Sequence, residues 1–573
     1  MIASFRGLEA NSASMCTEPI SMLKVKSLNK QLERSFKKNW WRPALSNYKG
    51  ETMNYAMLAE RIAIIQRHYR RFGVNPGDKI AICGRNQANW GVSFLSVMTY
   101  GAVPVPLLHD FNPANITELV LHSEAKVLFI DELIWEKLDS TKFEGLLAAV
   151  NISDFRILYT TIENLDKERA KVISDFHTEY ASGLRPENLD FYRDSPDELA
   201  LINYTSGTSG FSKGVMIPYR ALIANIEFAA NDAEPQMDYT CDMVAMLPSA
   251  HMYGLMFEFL FEMCIGAHTH FLSKTPSPKV IMTAFQEIHP AVIISVPLII
   301  EKVYKNQIKP MMRRFRFFVG ATFIGGILRR AVRKKVVAAF GGKFEEIILG
   351  GAPVNPEVEK FFHKMRFPFT AGYGMTECAP IITYAHWNRS KVGSSGKAVA
   401  GCKIRIDSKD PEHIPGEVQV KGPNVFLGYY RNEEATAAAF TEDGWFKTGD
   451  MGIIKKGYLY LKGRLKCMIL SANGQNIYPE ELEAVINNFQ YVVESLVVEE
   501  KGGLTAIIHP DYASAALDGI EEEELEGKIL SSLPEINPQL PNYAQIRKIE
   551  ILKEDFIRTP KRSIKRYLYL KHE

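Results

Sequence analysis

From Lys79 onward, short apolar runs alternate with helical stretches, and this alternation constrains the fold more than any other feature. KIAIC (Lys79–Cys83) reads as a strand, NWGVSFLSVMTY (Asn89–Tyr100) as a helix, and AVPVPL (Ala102–Leu107) as a strand. ANITELVLHS (Ala114–Ser123) reads as a helix and KVLFI (Lys126–Ile130) as a strand. Strands separated by helices pair through crossovers, which gives mainly parallel sheet. The pattern resumes with ELALIN (Glu198–Asn203), a polar loop and a helix from Tyr219 to about Asn231. It recurs in PAVIISVP (Pro290–Pro297), a basic helical region, EEIILGG (Glu345–Gly351), a helix near Pro356–Lys364, and FPFTAGYG (Phe367–Gly374). After Gly401, KIRIDS, GEVQVKG and GYLYLKG have the alternating texture of antiparallel strands. From Lys466, a helix in PEELEAVINNF precedes strands in VVESLVVEE and LTAIIHP. The expected fold class is α/β: a polar leader (1–21), a large domain of mainly parallel sheets with a β-rich subdomain (22–465), and a small α+β domain (466–573).

At 573 residues the chain exceeds the roughly 250–300 at which single cores stop growing. Hydrophobic residues at 46% and charged residues at 23% fit a soluble globular protein. A net charge of +2 supplies no field to recruit nucleic acid. Seven scattered cysteines without a CxxC pair argue against a disulfide framework or a structural zinc site and fit a reducing cytosol. Residues 1–21 lack the apolar centre of a signal peptide, and are read as disordered or as preceding a working start at Met22. The run Trp90–Leu108 is long enough to span a bilayer, but Gly101, Pro104 and Pro106 break it into a buried helix, a turn and a strand.

The segment YTSGTSGFSKGVM (Tyr204–Met216) has almost no apolar area to bury. It offers backbone N–H groups, the hydroxyls of Thr205, Ser206, Thr208 and Ser209, the freedom of Gly207 and Gly210, and the cation Lys213. That is an inventory for holding an anion. An isolated Gly/Ser/Thr run is ordinarily a surface turn. A P-loop is excluded, because Phe211 and Ser212 separate Gly210 from the lysine and Gly214 follows it.

Eight further segments accompany the loop: LPSAHMYG (Leu247–Gly254), GGAP (Gly350–Pro353), GYGMTE (Gly372–Glu377), GEVQVKGPNVFLGYY (Gly416–Tyr430), GWFKTGD (Gly444–Asp450), GRLK (Gly463–Lys466), NGQNIYPEELE (Asn473–Glu483) and TPKRSIKR (Thr559–Arg566). Together and in this order, over about Leu23 to the C-terminus, they resemble the AMP-forming acyl-CoA synthetases of the adenylate-forming superfamily. The resemblance implies ATP, Mg2+ and coenzyme A as reactants. A carboxylate must approach the α-phosphorus of ATP past negative oxygens. Two like unit charges at roughly 4 Å repel by about 4 kcal/mol at an effective dielectric constant of about 20, so cations and oriented donors dominate the first step.

By the same resemblance, the loop from Thr205 through Gly210 and Lys213 holds the β- and γ-phosphates, with Thr208 taking part in the chemistry. Tyr373, after Gly372, stacks on adenine, Thr376 bonds the α-phosphate and Glu377 holds Mg2+. Gly351, Ala352 and Pro353 line the adenine face with backbone. Asp450 accepts from the ribose hydroxyls, and Arg464 reaches the ribose or the phosphate. His251 stands between the carboxylate pocket and the thiol channel; a lone histidine is otherwise most often a core residue. Lys466 is the hinge about which the C-terminal domain rotates between half-reactions, bringing Asn473 and Gly474 to the pantetheine channel.

The terminal motif departs from the family pattern. Gapless alignment puts Ser563 where the family has the lysine that stabilises adenylation, so Lys565, or failing it Lys561, is expected to substitute. In an extended segment residues 561, 563 and 565 share one face at spacings of about 7 Å.

VPLIIEKVYKNQ (Val296–Gln307) resembles an element of medium- and long-chain fatty acyl-CoA synthetases, with Leu298 in place of its arginine, and LPSAHMYG lacks the aspartate of amino-acid-activating domains. A fatty acid is the expected substrate. The basic run from Lys302 to Lys335 is ordinarily a solvated helix face; its functional alternative is weak peripheral contact with an anionic bilayer at the cytoplasmic side. Two other readings stay open: an adenylating enzyme that delivers to an acyl-carrier protein or stops at acyl-AMP, and a non-catalytic acyl or nucleotide sensor.

Overall fold

The computed structural model describes residues 23–206, 212–233, 237–238, 240–273, 277–308, 324–470, 476–500, 503–559 and 564–570. The first sheet runs in the order Val103–Leu107, Lys79–Cys83, Val127–Ile130, Ala148–Asn151, Ile157–Thr160, and only the last pairing is antiparallel. Ile80, Ala81, Ile82 and Cys83 are all fully buried, as a parallel strand covered on both faces requires. The bilayer-length run resolves into the helix Ala88–Met98, a turn at Gly101 with φ 86°, and the strand Val103–Leu107. Among the described residues no helix is long and apolar enough to cross a membrane.

A second sheet pairs Asp242–Ala245, His268–Phe271 and Pro43–Asn47 in parallel and adds Thr52–Asn54 antiparallel. A third, fully parallel, joins Val292–Ser295, Glu346–Leu349 and Phe369–Ala371. Several helices beside these sheets start on an Asn or Ser followed by proline. Asn112 accepts from the Asn115 amide, Ser277 from Val280, and Asn355 from Glu357 and Val358. The proline at the first helical position removes an amide that would lack an intrahelical partner, and the cap satisfies another.

Beyond Gly401 the expected antiparallel texture is present: Lys403–Asp407, Gly416–Lys421, Phe446–Lys455 and Tyr458–Arg464 form one antiparallel sheet. A one-turn helix, Leu465–Cys467, leads from it to the C-terminal part. There Val492–Glu500, Gly503–Pro510 and Ile546–Ile551 form a separate sheet, and Leu482, Ile486, Ile508, Leu525 and Ile536 bury a core of their own.

The polar loop differs from the strand–loop–helix reading. Ser212–Pro218 is a strand paired antiparallel with Leu199–Ser206, in register Tyr204↔Gly214 and Thr205↔Lys213, and only then does the helix Tyr219–Asn231 begin. The strands that flank the glycine-hydroxyl segment in sequence therefore pair as a hairpin. Gly428–Tyr429 extends this sheet by pairing with Met216 and Val215.

Candidate active site

GGAP and GYGMTE follow the adjacent parallel strands Glu346–Leu349 and Phe369–Ala371, and LPSAHMYG follows Asp242–Ala245. All three emerge at carboxyl ends of parallel strands, where open α/β sheets bind ligands. The Gly372 amide donates to Leu349 O at 2.8 Å, which keeps the two loops side by side. Gly374 closes the turn: a Cβ there would lie 2.2 Å from Pro380 O. Gly351, Ala352 and Pro353 are exposed, Thr376 and Glu377 buried.

Two short chains of contacts organise this crevice. In the first, the Tyr373 hydroxyl donates to Asp450 Oδ2 at 2.7 Å, and Arg464 Nε lies 3.1 Å from Asp450 Oδ1. Burial first, and then the Asp450 charge, push the Tyr373 hydroxyl well above its usual range, so it stays a donor. The Asp450 charge likewise holds Arg464 firmly protonated. A carboxylate has about four acceptor positions, so Asp450 can bond both partners and still accept from hydroxyls. In the second chain, Lys213 Nζ sits 4.7 Å from the Tyr429 ring centre, and the Tyr429 hydroxyl donates to Glu377 Oε1 at 3.0 Å. Burial and the Glu377 charge also keep Tyr429 protonated. A pocket of about 310 Å3 opens beside Lys213, lined also by His122, Ser212, Tyr429 and Arg431.

His251 caps the helix Met252–Leu255, its Nδ1 accepting from the Tyr253 amide at 3.3 Å. The preceding loop is held by groups that no sequence motif marked. Asn86 Nδ2 donates to Leu247 O at 2.6 Å and its Oδ1 accepts from the Ser249 amide at 2.8 Å; Asn203 donates to Ala250 O at 2.9 Å. Glu258 Oε2 accepts from the Leu247 amide at 2.9 Å, while burial pushes its carboxyl well above the usual range.

Lys466 is exposed in the turn Leu465–Cys467, directly after Arg464. Lys565 is half-buried, its amide donating to Ile557 O at 2.9 Å, and the adjoining Arg566 pairs with Glu483 and Glu480 on the helix Pro479–Ile486. The C-terminal part meets the large one through Asn355 Nδ2 to Asn488 Oδ1 at 2.6 Å and Lys462 to Glu481 at 2.8 Å. Gly207, Thr208, Ser209, Gly210, Asn473, Gly474 and Lys561 lie outside the described residues, as does the side chain of Ser206. Thr205 is half-buried, its Oγ1 3.5 Å from Lys213 O.

Residues 32–430 match the family described as AMP-binding enzyme, and residues 467–572 match its C-terminal domain. The chain belongs to the AMP-binding enzyme family. Long-chain-fatty-acid–CoA ligase 1 of Saccharomyces cerevisiae is 27% identical to this AMP-binding enzyme, over 84% of this chain and 75% of the relative. A chloroplastic long-chain-fatty-acid–[acyl-carrier-protein] ligase of Arabidopsis thaliana is 26% identical over 81% and 73%. Among solved structures, o-succinylbenzoate–CoA synthetase of Bacillus subtilis in complex with ATP and magnesium ion has a TM-score of 0.71 at 22% identity. The match covers 94% of this chain and 98% of that one, and is a likeness of fold. Membership places the AMP-binding enzyme among the adenylate-forming acid–thiol ligases.

Proposed function

We propose that the enzyme activates a medium- or long-chain fatty acid with ATP, releasing pyrophosphate, and transfers the acyl group from acyl-AMP to the thiol of CoA. The carrying observation is that the Lys213–Tyr429–Glu377 and Tyr373–Asp450–Arg464 contacts both include a residue of the segment Gly372–Glu377, which follows the strand Phe369–Ala371. One set brings a cation and a buried carboxylate to the hairpin side, where a polyphosphate is bound; the other offers a ring and an acceptor for adenosine. Glu377, buried and aimed by Tyr429, is a hard oxygen donor of the kind Mg2+ takes. When bound, Mg2+ neutralises phosphate charge. Lys213 adds a cation on the same side, and Lys565, or Lys561, supplies another during adenylation. Thr376 bonds the α-phosphate, and the Thr205–Gly210 loop closes over the leaving diphosphate, with Thr208 at the reacting end. His251 separates the acid from the thiol path, and rotation about Lys466 brings Asn473 and Gly474 to that path.

A fatty acid is supported by the apolar surroundings of the His251 segment, where Met252, Leu255, Met256 and Phe257 are buried beside it. Pyrophosphate release and thioester yield, measured over acids from acetate to oleate with and without CoA, test the proposal. Yield rising with chain length and requiring CoA supports it. Release without CoA, followed by acyl transfer only to an acyl-carrier protein, replaces CoA as the acceptor. No release with any acid overturns the enzymatic reading. The membrane contact rests on Arg330, Lys334 and Lys335, which are exposed; Arg313, Arg314 and Arg316 lie outside the described residues. Cosedimentation with anionic liposomes at low salt tests it, and a negative result removes it.

A further inference from the structure

The sheet built on Asp242–Ala245, His268–Phe271, Pro43–Asn47 and Thr52–Asn54 buries Met243, Thr269, Leu45 and Met53 on one face. Its other face carries a half-exposed polar group. His268 and His270 stand two residues apart on one strand, so both rings project from the same side, with centroids 3.9 Å apart. Asp242 lies in register with His268 on the neighbouring parallel strand. Its Oδ1 is 3.0 Å from His268 Nδ1 and 2.9 Å from His270 Nε2. The three potential ligand atoms lie within 4.8 Å of one another. Behind them, His268 Nε2 is 2.7 Å from Ser46 Oγ, which is 2.8 Å from Thr52 Oγ1.

We propose that Asp242, His268 and His270 form a divalent-metal site of the zinc type, separate from the nucleotide crevice. Two imidazole nitrogens and one carboxylate oxygen are a donor set that zinc takes, and three protein ligands leave a fourth position for water. Bonds of about 2.0–2.1 Å put tetrahedral ligand atoms about 3.3 Å apart. The contacts of 2.9 and 3.0 Å need to open by only a few tenths of an ångström. Without metal, each nitrogen facing Asp242 carries the proton it donates. On binding, each neutral ring moves that proton to its other nitrogen and offers the freed lone pair to the metal, with no net proton released. For His268 the relocated proton sits on Nε2 and is donated to Ser46, whose hydroxyl turns to Thr52. Such an outer bond fixes the tautomer and the ring orientation of a metal-bound histidine. The metal ties together two strands, and the one bearing Asp242 runs into the Leu247–Gly254 segment that holds His251.

The experiment uses the full chain without a polyhistidine tag, stripped with chelator and titrated with zinc in the absence of nucleotide. Bound metal is read by elemental analysis and by competition with a chromogenic chelator, and stability by the thermal midpoint. Wild type is expected to bind one more equivalent than His268→Gln/His270→Gln, and to show a zinc-dependent rise in midpoint that the variant lacks. Ser46→Ala is expected to weaken binding by about tenfold while keeping the stoichiometry. Equal zinc stoichiometry in wild type and the double variant overturns the site. If the double variant does not fold, Asp242→Asn decides: it keeps the acceptor's shape but loses the anionic ligand, and wild-type zinc affinity in it overturns the site.

Discussion

The Tyr373 hydroxyl donates to Asp450 Oδ2 across 2.7 Å with both residues buried, 77 positions apart in sequence. The bond joins the ring proposed to face adenine to the carboxylate proposed to face ribose. Tyr373→Phe keeps the ring and leaves Asp450 Oδ2 without that donor. A buried acceptor stripped of its partner costs about 1–3 kcal/mol, and about 1.4 kcal/mol is tenfold in affinity. The KM for ATP is therefore expected to rise about tenfold or more with kcat changed far less. Steady-state kinetics at saturating acid and CoA check this, and an unchanged KM for ATP refutes it.

Tyr429→Phe probes the other contact chain. The substitution retains the ring beneath Lys213 and removes the donor to Glu377 Oε1. Loss of a bond that orients a metal ligand typically costs 10–100-fold in metal affinity, so the Mg2+ concentration for half-maximal rate is expected to rise about tenfold or more at fixed ATP. A magnesium titration of pyrophosphate release measures it, and coincident curves for wild type and variant count against Glu377 as the ligand.

Residues close in sequence were legible; those meeting across the fold were not. The helix Tyr219–Asn231 and the strand Val492–Glu500 run as their periodicity predicts, because apolar spacing is a local signal. The strand Ser212–Pro218 escaped the reading because it opens on Ser-Lys-Gly, with no apolar side chain until Val215. Tyr429 sat inside a recognised motif, yet its link to Glu377 spans 52 positions and appears only when the hairpin sheet gains its third strand. Asn86 acts on the His251 loop from the loop before the helix Ala88–Met98 and Asn203 from the strand Leu199–Ser206, and no functional motif marks either. His268-Thr269-His270 carries a signal, two imidazoles at strand spacing, to which an argument against zinc from scattered cysteines does not apply. Asp242, which completes the proposed set, is visible only through strand pairing.

Glu359, on the helix Pro356–Lys364 that follows GGAP, gives a pH dependence of stability. The carboxylate accepts from the Gly393 amide with both oxygens at 2.9 Å. Burial pushes its carboxyl up to about 7, against the pull of that amide. The folded state then holds a proton that the unfolded chain, with an ordinary glutamate near 4.5, has released. With more protons bound to the folded form, stability falls as pH rises from about 4.5 to about 7 and levels off above. At about 1.36 kcal/mol per unit, the loss is of the order of 3 kcal/mol. Glu359→Gln keeps an acceptor for Gly393 and removes the titration. Its denaturant midpoint is expected to vary less than wild type between about pH 5 and about pH 8. Parallel pH profiles would show that Glu359 titrates normally.

Lys565 and Arg566 are neighbours for which opposite outcomes are expected. Arg566 pairs with Glu483, which is 7% exposed, and approaches Glu480 at 3.8 Å. Burial drives the Glu483 carboxyl upward, and the Arg566 charge opposes that drive. Removing one partner of such a pair strands the other in the interior, so Arg566→Ala is expected to destabilise the C-terminal part by about 3–5 kcal/mol. Lys565 is half-buried, and its alanine variant is expected to change stability by less than about 1 kcal/mol. If its ammonium stands in for the lysine displaced by Ser563, acyl-AMP formation should fall about 100-fold or more, the usual effect of losing one transition-state donor. Thioester formation from supplied acyl-AMP should persist, because that step follows the departure of pyrophosphate. Pyrophosphate exchange and single-turnover thioesterification separate the two half-reactions, and urea unfolding reports stability alongside. A Lys565→Ala enzyme that adenylates at the wild-type rate transfers the role to Lys561, and if Lys561→Ala is equally active, neither lysine replaces the missing cation.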